Sequence, residues 1–571
     1  MLKRKRTDLE YDEIFMDSSN LPSFNRGRLE GRMELPIMRR SIFVVGLIFT
    51  IVSLAFLAKM FELQVIHGAE YRERSDSNRI DEGVIIAERG VIYDRRGEML
   101  AWNETDYNDE HDFPVRAYTD LPGLGQLVGY VSYPQKDKQG FYYRTDYIGR
   151  TGLESAYEKV LHGENGTILV EVDAVGDVIS SSAVKPAREG STFTTSVDAG
   201  LSAAMYQIIA TSTEQAGFRS GAAAIMDVET GEIIAMTSFP SYDPEVMADG
   251  DDVELIESYN NDERFPFLNK VVGGAYTPGS IVKPFLAYAA LVEDVISAST
   301  SIYSNGKLII PNPYDPDNPT TFTDWRTHGS MMMREAIAFS SNVYFYIIGG
   351  GLPQNAVPQA NVGVAREGLG ISRINEYVRL FGLGERTGVR LENEQSGTVP
   401  NPEWKIEVFD DDWRLGDTYN TSIGQFGFQS TPIQMLVAYA ALANGGKLLT
   451  PKLEKDATPE FTDLNLDKEA LRIVHEGMRK TVNFDGGTAR SLERSDVAIA
   501  AKSGTAEVGA GNAFVNSWAA GFWPYEEPKY AFILLMDRAP RSNALGSTRI
   551  MGDIVEWMSV NRPEYLGLEN E

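Results

Sequence analysis

Cysteine is absent from all 571 residues. Disulfides, thiolate zinc sites and cysteine nucleophiles are thereby excluded, although the absence names no compartment. Histidine is scarce. Its five copies, His67, His111, His162, His328 and His475, are dispersed along the chain, so no His-based relay or ligand set is suggested. His328 lies near Asp315, Asp317 and Asp324, but without paired ligand spacing this Pro-rich stretch reads as a solvated loop rather than a metal loop, and no metal or cofactor is implied. Positive charge is also short, with 53 Lys and Arg against 81 Asp and Glu, a formal net charge of -28. That excess repels phosphodiester backbones, and no basic patch stands outside the first residues, so nucleic acid is not an expected partner. The acidic runs Asp410 to Asp412 and Gly250 to Asp252 read as solvated surface.

Long apolar runs are missing too, apart from one. Ser41 to Ala58, SIFVVGLIFTIVSLAFLA, is an uncharged run of 18 residues, just long enough to cross a bilayer as a helix. It has no polar face, which a buried globular helix would show. Basic residues gather on its amino-terminal side (Lys3 to Arg6, Arg26, Arg28, Arg32, Arg39, Arg40). The positive-inside bias therefore predicts a cytoplasmic tail over 1–40, an anchor over 41–60 and everything beyond outside the cell membrane. A cleaved signal peptide would have a shorter core and a shorter leader.

What remains has an ordinary globular composition, 43% hydrophobic and 23% charged, and is long enough for one large domain with a smaller companion. In EGVIIAERGVIYDRRGEMLAWN, short apolar stretches flank an Asp94-Arg95-Arg96-Gly97 turn, the pattern of a hairpin. Thr151 to Gly163 reads as a short helix ending at glycine. We assign 61–190 to a small, extended, β-rich pedestal. From Ser191 the texture changes: TFTTSVD reads as a strand, LSAAMYQIIATSTEQAG as a helix, and GAAAIMDVETGEIIAMTSFP as a hairpin turning at Glu229 to Gly231. Strands recur in VAIAAKSGTAEV, SWAAGFW and YAFILLMDR, with largely helical pattern between. Strands at both ends and helices between predict an α+β domain over 191–571, an antiparallel sheet packed by helices and closed by its two termini.

A serine and a lysine in the pattern SxxK share one helix face, so the amine stands where it can take the hydroxyl proton. Three pairs match: Ser182 with Lys185, Ser280 with Lys283, and Ser304 with Lys307. Ser304 precedes a turn and Ser182 sits in a polar linker, whereas Ser280 follows Thr277-Pro278-Gly279 and opens the apolar helix IVKPFLAYAALVE. There the helix dipole and free N–H groups favour an alkoxide and the oxyanion formed after attack. Pro284 predicts a tight or irregular start to that helix. Alone, Ser280 is an ordinary helix-start serine. Sixty residues on stands Ser340-Ser341-Asn342, and 162 beyond that Lys502-Ser503-Gly504 at the start of a strand. SSN alone reads as a turn and KSG as a strand edge; the three together, in this order, rarely arise by accident.

This ordered set is the signature of serine β-lactamases and penicillin-binding proteins, and the chain after its anchor resembles a class B penicillin-binding protein over nearly its whole length. AERGVIYDRRGEMLAWN and GRTGLESAYEKVLHGENG resemble the membrane-proximal blocks, and GAYTPGSIVKPF, SSNVYFY, FGLGERTGVRLENEQSGTVP, GDTYNTSIGQF and KSGTAEV the transpeptidase blocks. LQVIHGAEYRERSDSNR and SGTVPNPEWK resemble the elongation branch more than the division branch. The resemblance implies a serine β-lactamase-like transpeptidase domain on a dimerisation-type pedestal, which cross-links peptidoglycan stem peptides and is acylated by β-lactams. It implies Ser280 as nucleophile, Lys283 as base, Ser340 as proton relay, Asn342 as a holder of substrate amide and Lys502 as a source of positive charge. Ser503, Gly504 and Thr505 are implied to bind the terminal carboxylate and complete the oxyanion hole. Its implied partners are the cytoplasmic membrane and a SEDS-family (RodA-like) glycosyltransferase. A division-specific transpeptidase of the same class, or a β-lactam-sensing or -hydrolysing relative, is the alternative.

Three departures from the family pattern stand out. Asn103 to Gly149 is short, which implies a reduced partner surface. The family's Gly-Gln-Gly turn is Gly424-Gln425-Phe426 here, leaving the shape of one active-site wall open. No glycosyltransferase block precedes the transpeptidase, which sets the chain apart from the bifunctional class A type.

Overall fold

The computed structural model describes residues 39–77, 80–104, 113–138, 142–172, 178–312, 315, 317–353, 367–543 and 545–568. The chain divides into two compact units, 1–82 with 169–182, and 83–168 with 183–571. His111 lies outside the described residues.

The described part of the first unit holds α1, Arg39–Phe61, none of whose residues is buried. At 1.5 Å per residue its length is about 34 Å, enough for a bilayer core of about 30 Å. Its apolar side chains have no protein to pack against within their own unit, which is what a helix solvated by lipid requires.

In the second unit the membrane-proximal hairpin forms as predicted. Strands β1 (Ile92–Tyr93) and β2 (Met99–Glu104) pair antiparallel, and the Gly97 N–H returns to the Asp94 carbonyl at 3.1 Å. β3 (Val115–Tyr118) extends the sheet. The strand predicted to open the catalytic domain is shorter than expected, β4 (Phe193–Thr194), and it pairs in parallel with β1. The predicted helix over Thr151 to Gly163 is two short helices, Gly152–Ala156 and Glu158–Leu161, broken at Tyr157. The break leaves Glu154 facing inward, where its carboxylate takes Arg89 Nε at 2.5 Å and Arg116 Nε at 2.8 Å, all three side chains buried. Paired and hydrogen-bonded in this way, the three charges avoid the several kcal/mol that one of them alone would cost in such a place.

The large sheet has five strands, β5 (Ser220–Asp227), β6 (Ile233–Phe239), β7 (Ala500–Val508), β8 (Phe514–Trp523) and β9 (Tyr530–Pro540), in the order β6-β5-β9-β8-β7, all antiparallel. The first and last strands of this sheet meet at its centre, where β5 pairs with β9 over eight residues. Both faces are covered, so the strands read as continuous apolar runs. Ala223 and Ile225 face α2 (Ala199–Ala216) and α8 (Ser547–Asn561); Ala222, Ala224 and Met226 face the cluster holding α3 (Lys283–Val292), α6 (Pro432–Ala443) and α7 (Lys468–Asn483). The short helices α4 (Met333–Phe339) and α5 (Asn342–Gly350) carry the middle motif. β7 is left as an edge strand with one side open.

Candidate active site

Ser280 does not lie in the α-helix proper. It sits in a 3-10 turn, Gly279–Val282, and α3 begins at Lys283 with Pro284 in its first turn. This is the irregular start predicted from Pro284, which costs nothing at a position whose N–H has no partner to lose. The turn is fixed by close backbone contact that only glycine allows. Gly279 has φ +58° and its N–H reaches the Gly424 carbonyl at 3.0 Å; a Cβ on Gly424 would stand 2.2 Å from the Gly279 oxygen. A Cβ on Gly504 would stand 2.9 Å from Ile281 Cγ2, so the KSG strand runs directly against the serine turn. Tyr439 donates to the Ile281 carbonyl at 2.7 Å and Trp518 to that of Thr277 at 3.0 Å, which pins both flanks.

Lys283 is fully buried, and its Nζ donates to Ser340 O at 2.8 Å, Asn342 Oδ1 at 2.8 Å and Ser340 Oγ at 3.4 Å. Among the described residues it makes no hydrogen bond to Ser280, a looseness common in sites without substrate. Burial lowers its pKa to about 7, with the charge of Asp324 opposing the shift. Lys502 is equally buried and donates to Ser503 O at 2.9 Å; burial and the nearby Lys283 both push its pKa well below the ordinary value. That shift runs against the positive charge that the resemblance implies for Lys502.

Ser340 has φ +56°, in the left-handed region, where a side chain carries strain that functional sites retain. It links α4 to α5, and Ser341 caps α5, accepting from Tyr344 N at 3.3 Å. The residue that holds this turn is Asp324. Its carboxylate accepts from Ser341 Oγ at 2.6 Å, Asn342 N at 2.9 Å and Val343 N at 3.0 Å, with Ser304 Oγ and His328 Nε2 at 3.3 Å. Burial alone would raise its pKa, but the hydrogen bonds from His328, Ser341, Asn342 and Val343 win and hold it well below the usual carboxylate range. The sequence offered no signal for it: a lone Asp between Thr323 and Trp325 reads as loop. The solvated-loop reading is thus corrected for Asp324 and His328, whose side chains are fully buried. Among the described residues no group of three or more His, Asp or Glu could hold a metal ion. The acidic run at 410–412 is also more than surface, since Asp411 Oδ2 and Asp412 O both take Lys405 Nζ, at 2.8 and 2.6 Å.

These elements enclose a cleft of about 970 Å³ whose walls include Ser280, Ser340, Asn342, Ser503, Gly504 and Thr505. Lys283 and Lys502 stand behind the lining. Ser503 Oγ lies 2.5 Å from Thr488 Oγ1, a cleft residue that belongs to none of the three motifs. The rival SxxK pairs are placed elsewhere. Ser182 and Lys185 share a strand, Val178–Lys185, where positions three apart point to opposite faces. Ser304 ends a strand and serves Asp324. At the departing turn, Gly424 and Phe426 both have positive φ, +73° and +57°, and the Phe426 ring is held among Trp404, Phe409 and Trp413 at centroid distances of 5.9, 6.3 and 5.6 Å. The aromatic packing compensates for a backbone conformation that glycine would adopt freely.

Residues 221–556 match the family model described as "Penicillin binding protein transpeptidase domain". The chain belongs to the penicillin-binding protein transpeptidase family. Residues 111–195 match the penicillin-binding protein dimerisation domain. The peptidoglycan D,D-transpeptidase MrdA of Haemophilus influenzae is 27% identical over 89% of this chain and 90% of its own; that of Acinetobacter baumannii is 29% identical over 82% and 78%. A solved complex between penicillin-binding protein PBP2 and MreC from Helicobacter pylori superposes with a TM-score of 0.68 at 25% identity, covering 85% of this chain and 99% of that one. The chain is a serine-type transpeptidase of class B, on the elongation-type, MrdA-like branch, with an amino-terminal apolar helix that fits a membrane anchor.

Proposed function

We propose that this chain cross-links peptidoglycan stem peptides through an acyl-enzyme on Ser280. The observation that carries the reading is the buried amine of Lys283, held at 2.8 Å from both Ser340 O and Asn342 Oδ1 behind a cleft that Ser280, Ser503 and Thr505 also line. Neutral Lys283 takes the Ser280 proton as Oγ attacks the carbonyl between the last two D-alanines of a donor stem. The oxyanion is met by the N–H groups of Ser280 and Thr505; losing one such donor typically costs about 3–4 kcal/mol of barrier. The proton passes by way of Ser340 to the leaving amine, D-alanine departs, and Asn342 holds the donor backbone. The amine of a neighbouring stem then attacks the ester, forming the cross-link and returning Ser280 to its free state. The terminal carboxylate rests on Ser503 and Thr505 and draws a proton to Lys502. β-Lactams present a strained amide in the same pose and acylate the same oxygen.

The basic amino-terminal segment favours a cytoplasmic tail and a catalytic domain outside the membrane. A SEDS-family (RodA-like) polymerase is the partner that the class B resemblance implies as the supplier of nascent glycan, and an MreC-type scaffold is a second partner by similarity to the Helicobacter pylori complex. The test is D-alanine release from a pentapeptide donor in the presence of an acceptor amine. Wild type releases D-alanine and forms amide-linked product; Ser280→Ala does neither. Equal release by the alanine variant contradicts the assignment.

A further inference from the structure

Two short strands, Lys307–Ile310 and Thr320–Thr323, form an antiparallel hairpin that no other strand joins among the described residues. Thr321, Phe322 and Thr323 line the catalytic cleft. Hydrogen bonding fixes which way their backbones face. The Asp324 N–H donates to the Gly306 carbonyl at 2.9 Å, one step beyond the Thr323–Lys307 pair. Bonded and unbonded pairs alternate along an antiparallel ladder, so Phe322 is bonded to Leu308, while Thr321 and Thr323 turn their N–H and C=O groups outward. The Thr323 carbonyl bears this out, since it accepts from outside the hairpin, from Asn342 Nδ2 at 3.4 Å and the Tyr346 hydroxyl at 3.3 Å. The backbone of Thr321 receives no such partner from outside the hairpin among the described residues.

This edge is held in place. The Phe322 ring packs against Tyr346 and Tyr419 at centroid distances of 5.6 and 4.9 Å, and just past the strand Trp325 Nε1 donates to the Phe339 carbonyl at 3.1 Å. An open edge on a fixed strand exchanges N–H···O bonds with the backbone of an extended peptide, so the chemistry it selects is main-chain amide. Position selects the peptide. Asn342 ties the edge to the catalytic triplet, its Oδ1 accepting from Lys283 Nζ at 2.8 Å while its Nδ2 reaches Thr323 O. The donor's terminal carboxylate belongs to Ser503 and Thr505 in the reaction above. The acceptor amine must give up its proton where the leaving amine gained one, beside Ser340 and Lys283, and the Thr321 edge adjoins that pair.

We propose that the outward edge of Thr321 is the docking strand for the acceptor stem, whose backbone exchanges a pair of hydrogen bonds with the Thr321 N–H and C=O while its amine reaches the acyl ester beside Ser340. The amine nitrogen bonds to the ester carbonyl carbon, and its proton passes by way of Ser340 to Lys283. The bond from that carbon to Ser280 Oγ then breaks, and Oγ recovers the proton from Lys283. The proposal rests on the transpeptidase reading above and assigns the acceptor half of that reaction.

The test uses the full chain, one pentapeptide donor and two acceptors of equal amine chemistry: an N-acetylated tripeptide amide with lysine as its third residue, and butylamine, which has no backbone. The readout is the ratio of amide-linked to hydrolysed product at equal amine concentration. Wild type favours the tripeptide over butylamine by about tenfold, the factor expected from a pair of backbone hydrogen bonds. Thr321→Pro removes the outward N–H and no bond of the hairpin ladder, a place where an edge strand tolerates proline, and lowers that preference about fivefold. Thr321→Val keeps the N–H and the preference. Because each ratio is taken within one protein, partial misfolding of a variant cancels. Equal use of the two acceptors by wild type, or a preference unchanged in Thr321→Pro, overturns the docking strand while leaving Ser280 chemistry in place. A fall in penicillin acylation as large as the fall in preference also overturns it, since the edge then serves the donor. No acylation of wild type at Ser280 overturns the transpeptidase reading and the docking strand with it.

Discussion

A buried lysine whose pKa is lowered to about 7 can serve as a base near neutral pH. In the proposed mechanism the neutral amine is the working form of Lys283, so the sign follows: activity is expected above about pH 7 and is lost as pH falls through the folded value of about 7. Second-order acylation by a penicillin, measured by stopped flow from pH 5 to 9, is expected to rise through this midpoint and level off. A flat profile across that range contradicts Lys283 as base. Lys283→Arg keeps a cation but cannot surrender its proton, and is expected to slow acylation by about a hundred- to ten-thousand-fold. Asp324 makes a different kind of contribution. It satisfies two backbone N–H groups and the Ser341 hydroxyl in a buried place, so Asp324→Ala leaves them unpaired and is expected to lower stability by about 3 kcal/mol in denaturant titration. With its folded pKa depressed, that stability is present above about pH 4, the unfolded value, and declines only in stronger acid. No change in midpoint for the variant removes Asp324 from the account.

At the scale of elements, three stretches far apart in sequence meet because glycine lets their backbones touch. Gly424→Ala puts a methyl group 2.2 Å from the Gly279 oxygen. The serine turn must shift, and a displacement near 1 Å at the proposed nucleophile costs on the order of a hundredfold in rate. The expected result is a folded protein, judged by circular dichroism, acylated on that order more slowly; wild-type acylation refutes the role of the contact. The same elements show what a sequence discloses. The order of the motifs and the helix after Ser280 picked one SxxK pair from three, because an i,i+3 pair shares a face only on a helix and Ser182 with Lys185 is on a strand. The strands β5 to β9 were readable as apolar runs bounded by turns. Asp324 was not, since its importance lies in a tertiary fold-back onto Asn342 and Val343 that leaves no local pattern. Nor was the aromatic packing that lets Phe426 take a glycine-like conformation, because Trp404, Phe409 and Trp413 come to it from a separate segment. The division of Thr151 to Gly163 into two helices likewise follows from burying Glu154 between two arginines, which periodicity does not record.

On the scale of the whole molecule, one unit holds an apolar helix that fits a membrane anchor and the other carries the cleft. The full chain is expected to resist alkaline carbonate extraction from membranes, and replacement of the apolar residues of Ser41 to Ala58 by polar ones to release it; release of the unaltered chain excludes α1 as an integral anchor. The central claim is that the hydroxyl of Ser280, and no other, becomes acylated. Incubation of the full chain with benzylpenicillin, followed by digestion and peptide mass mapping, tests it most directly. The account predicts one penicilloyl adduct on the peptide containing Ser280 and none in Ser280→Ala. An adduct on another residue, or an equal adduct in the alanine variant, contradicts it.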